Sequence, residues 1–275
     1  MSFKLDGPVV LAGAGKMGAA LLAGWIARGL QPRDVIVQEP NLAGDAAELQ
    51  RQHGFSAVAN LEDLPSPPSV IVVAVKPQAM DAVFPELAKH AGPATVVMSI
   101  AAGKSIASFE RHLPSGTAVV RAMPNTPAAI GRGITGAVGN AHVTEAQKDL
   151  CASLLSAAGG VVWLTDDALI DAVTAVSGSG PAYIFLLAET LARAGEAAGL
   201  DAATSMQLAR ATVSGAGELL HRSQSDPATL RQNVTSPGGT TAAALSVLMR
   251  EKGGLQDLLT EAVLAAKKRG RELGS

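Results

Sequence analysis

Short apolar runs alternate with helical patterns through the first 164 residues of the chain. Apolar and β-branched runs predict strands at residues 8–12, 34–37, 70–75, 95–100, 119–122 and 161–164. Helices are predicted at residues 16–28, 42–53, 81–90 and 145–158. Apolar residues at helical spacing indicate the first, whereas the second is polar and ends before Gly54. Strands that alternate with helices are typical of a mostly parallel sheet with helices packed against its faces. This part of the chain is therefore predicted to be an α/β domain.

The strand pattern stops near residue 164, and the rest of the chain is helical in pattern. Helices are predicted at residues 168–176, 181–198, 202–222, 241–252 and 255–273. The helix at 181–198 is apolar or small nearly all round, with Glu189, Arg193 and Glu196 as its charged residues. Such a helix is buried in a core or an interface, and a domain of about 110 residues has little room to bury it alone. We therefore predict a first domain at residues 1–164 and an all-helical domain at 165–275 through which two copies dimerise.

The composition argues against several classes of partner. Charged residues make up 17% and aromatic residues 3% of the 275 residues, and the formal net charge is -2. Nucleic acids and anionic membranes are bound through clustered positive charge or aromatic stacking, so neither is predicted as a partner. The first residues lack the pattern of a signal peptide, and no uncharged apolar run is long enough to span a bilayer. The expected location is the cytoplasm.

Cysteine and histidine are too sparse to indicate a metal centre. Cys151 is the single cysteine, so it can form no intrachain disulfide, and we interpret it as a buried thiol without a chemical role. The five histidines are scattered and form no pair at the spacing of one helical face. No metal site is predicted.

A glycine-rich turn follows the first predicted strand. Gly13-Ala14-Gly15-Lys16-Met17-Gly18 is a G-x-G-x-x-G motif that ends a strand and opens a helix. In dinucleotide-binding domains of the Rossmann type, the first glycine permits the turn, the second lets the backbone approach the pyrophosphate, and the third lets helix and strand pack closely. The motif therefore predicts a nicotinamide dinucleotide site, against the alternative of a glycine-rich turn that binds no ligand.

Other candidate residues also follow predicted strands, whose carboxyl ends meet at one edge of a parallel sheet. Glu39 lies about 20 residues after Gly18, where an acidic side chain accepts hydrogen bonds from the adenine ribose. Glu39 alone favours NADH over NADPH, although a solvated loop carboxylate is an equally good interpretation. Lys76, in Ala74-Val75-Lys76-Pro77, could lie along the cofactor or meet a substrate carboxylate, or be an ordinary loop lysine. Asn125 is a candidate for binding the nicotinamide amide, although asparagine between prolines is also a common turn former.

Two segments of the helical half are unusual. Ser177-Gly178-Ser179-Gly180-Pro181-Ala182-Tyr183 places a proline at the predicted first position of a helix, after flexible glycines. Ser236-Pro237-Gly238-Gly239-Thr240-Thr241 precedes the helix predicted at 241–252, and its glycines would leave backbone N–H groups free to face an anion. Capping alone would also explain either segment.

The order of these motifs resembles the pyrroline-5-carboxylate reductase family, and the resemblance extends from Val9 to about Leu273. The motifs that carry it are Gly-Ala-Gly-Lys-Met-Gly, Ala-Val-Lys-Pro, Met-Pro-Asn-Thr-Pro, Ser-Gly-Ser-Gly-Pro-Ala-Tyr and Ser-Pro-Gly-Gly-Thr-Thr. It implies a Rossmann domain with a mostly parallel sheet, followed by an all-helical dimerisation domain. It further implies reduction of 1-pyrroline-5-carboxylate, a small cyclic imine, to L-proline with NADPH or NADH, in a homodimer that often assembles as five dimers into a decamer.

The resemblance also implies roles for individual residues. Thr241 would hydrogen-bond the imine nitrogen and is the predicted catalytic residue. The predicted substrate-binding residues are Lys76, Thr174, Val234, Ser236, Gly238, Gly239, Thr240 and Thr241. The predicted cofactor-binding residues are Gly13, Ala14, Gly15, Lys16, Met17, Gly18, Glu39, Asn60, Ala74, Val75, Lys76, Pro77, Ala101, Ala102 and Asn125.

Two departures from the family pattern limit what can be carried over. Some members have a glutamate where this chain has Gln224, so the resemblance implies no acid role there. Others have a hydroxyl residue near the position of Glu39 that contacts the 2′-phosphate, and its absence leaves the cofactor preference open.

Two other functions compete with this hypothesis. A β-hydroxyacid dehydrogenase shares the glycine motif but would need a catalytic lysine in the long helix after the sheet, and residues 181–198 contain none. A non-catalytic dinucleotide sensor would keep the fold. It would not need the Ser236–Thr241 loop, which the reductase hypothesis uses to hold the substrate carboxylate.

Overall fold

The first part of the chain folds around one eight-stranded sheet. In the computed structural model, which describes residues 3–62 and 64–274, the strand order is β3-β2-β1-β4-β5-β6-β7-β8. All neighbouring strands are parallel except β6 and β7, which are antiparallel. The strands are β1 Val9–Ala12, β2 Val35–Gln38, β3 Ser56–Val58, β4 Val70–Val73, β5 Val96–Ser99, β6 Ala118–Met123, β7 Gly133–Gly139 and β8 Gly159–Trp163.

Within the described residues up to 178, six α-helices accompany the sheet. They are α1 Lys16–Ala27, α2 Gly44–His53, α3 Met80–Ala88, α4 Ile106–Glu110, α5 Glu145–Leu155 and α6 Ile170–Val173, and α6 continues into a π-helical segment, Thr174–Gly178. Apolar clusters cover both faces of the sheet, because the central strands carry aliphatic side chains on both sides. Trp25 of α1 is fully buried and donates from its Nε1 to the carbonyl of Leu154 at 2.9 Å. The predicted α/β class with a mostly parallel sheet is confirmed.

Several predicted elements differ from the structure. The elements β3, α4 and β7 were not predicted from the sequence. Glycine is rare in strands, and β7 contains three, but a Cβ on Gly136 would lie 2.7 Å from a methyl group of Val173. The glycine is there because α6 packs directly on the strand. The stretch predicted as one helix at 168–176 is helical, but it consists of a 3₁₀ turn, the short α6 and the π-helical segment.

The remaining part of the chain is helical. Its helices are α7 Gly180–Ala197, α8 Ala202–Arg222, α9 Pro227–Asn233, α10 Thr240–Leu248 and α11 Leu255–Gly274, of which α9 was not predicted. The chain divides into two compact units. The sheet unit comprises the chain up to Gly178 together with the last turns of α11 from Ala266, and the helical unit comprises Ser179–Ala265. The domain boundary at residue 164, just after β8, stays a prediction.

Helices α7 and α8 pack through small side chains. Ala192 and Ala209 are buried, and a Cβ on Gly195 would lie 2.9 Å from the hydroxyl oxygen of Ser205. Most apolar side chains of α7 are nevertheless exposed. The helical stretch Asp167–Ala197 is long and apolar enough to cross a bilayer by length and composition, although only 11% of its most apolar window is buried within the chain.

Candidate active site

The glycine turn lies between β1 and α1, at the point where the strand order reverses. Gly13 has φ +90°, and a Cβ there would lie 2.7 Å from the carbonyl oxygen of Ala74. A Cβ on Gly18 would lie 2.3 Å from the carbonyl oxygen of Gly13. Gly13 therefore permits the turn and Gly18 the close approach of helix and strand, as the motif predicts.

Gly15 differs from these two glycines because a Cβ there would meet nothing within 4 Å. It is exposed, it forms the N-cap of α1, and its carbonyl accepts the first helical hydrogen bond from Ala19 at 2.8 Å. The N–H groups of the first turn, including those of Lys16 and Met17, have no partner within the helix by its geometry. This open helix start fits the pyrophosphate of a dinucleotide.

Glu39 lies beside the same turn. Its carboxylate accepts hydrogen bonds from the backbone N–H groups of Ala14 at 3.1 Å and Asn41 at 3.2 Å. The backbone N–H of Glu39 donates to the carbonyl of Val58 at 2.9 Å, which fixes the residue against the end of β3. Asn60 is exposed just beyond the same strand. The carboxylate is therefore held at the carboxyl edge of the sheet, next to the glycine turn.

The other predicted cofactor residues lie on the loops after β4 and β5. Ala74 packs against the glycine turn, and its N–H donates to the carbonyl of Ala12 at 2.7 Å. Val75 is half-buried, whereas Lys76 and Pro77 are exposed at the start of a 3₁₀ turn. Ala101 is buried, Ala102 is half-buried, and the N–H of Ala101 donates to the hydroxyl of Ser99 at 3.2 Å. Because β1, β4 and β5 are adjacent and parallel, all these loops share one edge with Gly15.

A salt bridge joins the first turn of α3 to the loop after β5. The ammonium of Lys104 lies 2.7 Å from the carboxylate of Asp81. This hydrogen bond and the positive charge of Lys104 hold the pKa of Asp81 below its ordinary value.

Burial raises the pKa of the Cys151 thiol to about 12, so the group stays protonated and is a poor nucleophile.

Asn125 lies in the loop that follows β6, with a buried side chain. Its amide nitrogen donates to the carbonyl of Ser177 at 3.1 Å, and its amide oxygen accepts from the N–H of Ile134 at 2.9 Å. These contacts tie β7 to the π-helical segment Thr174–Gly178. Asn125 is thus a structural link in this chain, and its binding of the nicotinamide amide stays a prediction.

Thr174 opens the π-helical segment. It is half-buried, and its hydroxyl donates to the carbonyl of Ile170 at 2.8 Å, which leaves the oxygen lone pairs able to accept. π-Helical turns occur frequently at functional sites. The predicted substrate-binding role of Thr174 stays a prediction.

The second predicted site lies in the helical unit, at the start of α10. Gly238 has φ +70°, and the N–H of Gly239 donates to the carbonyl of Ser236 at 3.0 Å, which closes a turn. Gly239 is the N-cap of α10 and has no side chain to cap it, so the first N–H groups of α10 are open to an anion. Thr241 is half-buried, whereas Val234, Ser236 and Thr240 are exposed.

Sequence reasoning missed the buried charges behind the sheet edge. Arg121 of β6 is 6% exposed and pairs with Asp167 and Asp171. An arginine inside an apolar strand pattern was the available signal, but the sequence does not show which carboxylates meet it.

Among the described residues, neither a metal cluster nor a cavity at the other edge of the sheet points to a different site. Within residues 3–62 and 64–274, no three His, Cys, Asp or Glu side chains come together to hold a metal ion. A cavity of about 630 Å³ lies at the opposite edge of the sheet, near Gly7, Ser69 and Ala94. We place the site at the carboxyl edge, because the open helix start and the fixed Glu39 carboxylate lie there.

Comparison with known proteins identifies the family. The family described as pyrroline-5-carboxylate reductase dimerisation matches residues 167–273, and the family described as NADP oxidoreductase coenzyme F420-dependent matches residues 8–103. The pyrroline-5-carboxylate reductase of Pseudomonas aeruginosa is 41% identical over 265 residues, which cover 96% of each chain.

Solved structures agree with this result. A pyrroline-5-carboxylate reductase from Coxiella burnetii matches with a TM-score of 0.89 and 35% identity, over 98% of this chain and 99% of that one. The Plasmodium falciparum enzyme, solved with NADP bound, matches with a TM-score of 0.79 and 28% identity over 98% and 99%. The resemblance stated from the motifs is confirmed, and the chain belongs to the pyrroline-5-carboxylate reductase family.

Proposed function

We propose that this chain reduces 1-pyrroline-5-carboxylate to L-proline, the last step of proline biosynthesis, with hydride from NADH or NADPH. Membership of the family supports the reaction and the use of a reduced nicotinamide. The observation that carries the residue assignment is a pair of open helix starts, one at Gly15 in the sheet unit and one at Gly239 in the helical unit. The first suits a diphosphate and the second suits a small carboxylate.

The residues of the sheet unit would hold the dinucleotide. The N–H groups at the start of α1 would face the pyrophosphate, and Glu39 would accept hydrogen bonds from the adenine ribose. The loops that contain Ala74–Pro77 and Ala101–Ala102 would border the nicotinamide end. When bound, the reduced nicotinamide supplies the hydride that the imine carbon accepts.

The residues of the helical unit would hold the imine. The N–H groups at the start of α10 would bind the substrate carboxylate, with Ser236 and Thr240 beside them. The Thr241 hydroxyl would hydrogen-bond the imine nitrogen. Val234 of this unit, and Lys76 and Thr174 of the sheet unit, stay predicted substrate-binding residues. No nucleophile takes part in this scheme, so most of the rate enhancement would come from alignment of the two reactants.

The position of Glu39 favours NADH. Its carboxylate is held by the N–H groups of Ala14 and Asn41, so it is fixed where a 2′-phosphate would approach. A carboxylate and a phosphate that lie close together repel each other. We expect a higher kcat/KM with NADH than with NADPH.

The dimerisation family supports a homo-oligomer. We propose that the exposed apolar faces of the helical unit pack against a second copy, and that the resulting dimers assemble further into a decamer. A cytoplasmic location stays a prediction.

The test is a reductase assay with the purified full-length chain. Absorbance at the reduced-nicotinamide band is followed with pyrroline-5-carboxylate and either NADH or NADPH, and proline is quantified as the product. Consumption of cofactor matched by an equal amount of proline supports the proposal. Cofactor binding without turnover would favour a dinucleotide sensor, whereas oxidation of 3-hydroxy acids would favour a β-hydroxyacid dehydrogenase.

A further inference from the structure

Four charged side chains form a continuous chain inside the sheet unit. The guanidinium of Arg121 lies 2.7 Å from Oδ1 of Asp167 and 3.6 Å from Oδ1 of Asp171. The other carboxylate oxygen of Asp171 lies 3.7 Å from Nε of Arg271, near the end of α11. The side chain of Arg121 is 7% exposed and that of Asp167 is 28% exposed, so water and salt screen their pairing only weakly.

The second oxygen of Asp167 has a different partner. Oδ2 accepts a hydrogen bond from the backbone N–H of Ile106 at 3.1 Å. Ile106 is the first residue of α4, where helix geometry leaves the N–H group without a partner inside the helix. A carboxylate at this place also interacts favourably with the helix dipole. Asp167 therefore joins Arg121 on β6 to the start of α4.

The segment before α4 is the loop that contains Ala101 and Ala102. It turns at Gly103, which has φ +77° and where a Cβ would lie 3.4 Å from the carbonyl oxygen of Leu273, near the end of α11. Because α4 has only five residues, it contributes little stability of its own. Contacts from outside the loop hold this segment, among them the Lys104–Asp81 salt bridge, Leu273 near Gly103 and the Asp167 carboxylate at Ile106.

We propose that Asp167 is a positioning residue for cofactor binding, held in place by Arg121. Asp167 fixes the start of α4 and so sets the loop Ala101–Gly103 at the carboxyl edge of the sheet. This inference rests on the proposed function, which assigns Ala101 and Ala102 to the nicotinamide end of the cofactor. Asp167 would act through this loop, without contact with the cofactor itself.

The test measures the Kd of NADH by fluorescence titration in the absence of imine. In Asp167→Ala both acceptor oxygens are lost, and we expect the Kd to rise about tenfold in protein that is folded by circular dichroism. Asp167→Asn keeps an oxygen acceptor and should bind within about twofold of wild type. Asp149→Ala, which removes an exposed carboxylate of α5, is the matched control and should leave the Kd unchanged.

The KM values separate positioning from a general loss of structure. The KM for NADH should rise in Asp167→Ala, whereas the KM for pyrroline-5-carboxylate should stay within about twofold, because the start of α10 belongs to the other unit. A purely structural role would lower the amount of active enzyme and leave both values unchanged.

A second variant removes the donor of the hydrogen bond between Ile106 and Asp167. Ile106→Pro deletes the donor N–H, and proline is well tolerated at the first position of a helix. Ser105 before it has φ -78° and ψ 161°, a conformation that a following proline allows. We expect a similar rise in the Kd of NADH, whereas Ile106→Val, which keeps the N–H, should behave like wild type.

Combining the variants gives the decisive result. If one hydrogen bond carries the effect, Asp167→Ala with Ile106→Pro should bind NADH no more weakly than either single variant. An unchanged Kd in Ile106→Pro would overturn the inference, and this measurement remains possible even if Asp167→Ala does not fold. Fully additive effects in the double variant would also overturn it. Because the Kd is measured without imine, the result is independent of whether the chain reduces pyrroline-5-carboxylate.

Discussion

The two compact units of the chain treat their apolar side chains differently. In the sheet unit, Val9, Ile71 and Val97 lie on central strands and are fully buried. In the helical unit, Phe185 on α7 is 64% exposed and Leu208 on α8 is 52% exposed. Single exposed apolar residues are ordinary, but a whole series of them on long helices marks an interaction surface.

This difference indicates that the two units are stabilised in different ways. The sheet buries its strands between two helical layers of the same chain. The helical unit buries Ala192, Ser205 and Ala209 between α7 and α8 and leaves the larger side chains outside. We therefore infer that the sheet unit is complete in one chain, and that the helical unit becomes complete only in the dimer.

Phe185→Lys should have the largest effect. The lysine would place a charge in the centre of the apolar face of α7. Association of two copies through this face would have to remove water from that charge. We expect monomers by light scattering at micromolar concentration and a fall in kcat/KM of at least about a hundredfold, because interface anchors of this kind dominate association.

The matched control is Glu196→Gln, which changes the net charge by the same amount at an exposed polar position of the same helix. It should leave both the assembly and the activity close to wild type. A Phe185→Lys protein that stays dimeric and active would show that the helical unit does not depend on a second copy through this face.

Thr241→Ala tests the chemistry assigned to the helical unit. Loss of a hydrogen bond at the reacting atom should cost about 1–3 kcal/mol, or a fall of roughly 5- to 150-fold in kcat/KM. Thr241→Ser keeps the hydroxyl and should retain most of the activity. Steady-state kinetics with varied imine measure the effect, and an unchanged kcat/KM in Thr241→Ala would remove this residue from the mechanism.

The same contrast explains what could be predicted from the sequence. The glycine turn and the helix after it were predictable, because Gly13 and Gly18 are required by backbone contacts within a few residues or with the adjacent strand. The central strands were predictable because both of their faces are buried, which gives uninterrupted aliphatic runs. The apolar character of α7 was predictable because apolar residues cover nearly the whole helix, and its role as an interface stays a prediction.

The elements that were missed depend on contacts between distant parts of the chain. The strand β7 contains Gly136 because Val173 packs on it, and no local pattern carries that information. The partners of Arg121 lie 46 residues or more away, at Asp167 and Asp171. Asn125 was predicted from its place after a strand, but its hydrogen bonds to Ser177 and Ile134 depend on tertiary packing.

Gly15→Ala tests cofactor binding at the glycine turn of the sheet unit. A Cβ at this position meets open space, so the fold should be kept, but the methyl group would stand where the pyrophosphate approaches the backbone. We expect an unchanged melting temperature and a rise of about tenfold in the Kd of NADH.

Gly18→Ala provides the contrast, because its Cβ would clash with the carbonyl of Gly13. That variant should lose stability by roughly 1–3 kcal/mol in chemical denaturation, as overpacked sites do. Equal stability losses in the two variants would mean that a methyl group on residue 15 also disturbs the fold, and an unchanged Kd of NADH in Gly15→Ala would mean that the open space there has no part in ligand binding.

The smallest expected effect concerns the caps that begin the helices. In the sheet unit, α5 begins with a capping box formed by Thr144 and Gln147, neither of which titrates. In the helical unit, α8 and α9 begin at Asp201 and Asp226, whose hydrogen bonds from Thr204 and Thr229 lower the pKa of each carboxyl below its ordinary value of 3.8. The helical unit therefore has a dependence on acid that α5 lacks.

A lowered pKa in the folded state means that the carboxylate stabilises the protein above pH 3.8 and loses that contribution as the pH falls through the lowered value. Asp201→Ala should therefore lower the melting temperature by about 2–4 °C near pH 7, and the difference from wild type should shrink as the pH falls below 3.8. Thr144→Ala should give a difference that does not depend on pH. Differential scanning calorimetry across this range tests both, and a pH-independent effect of Asp201→Ala would show that the carboxylate contributes through its hydrogen-bond geometry, without its charge.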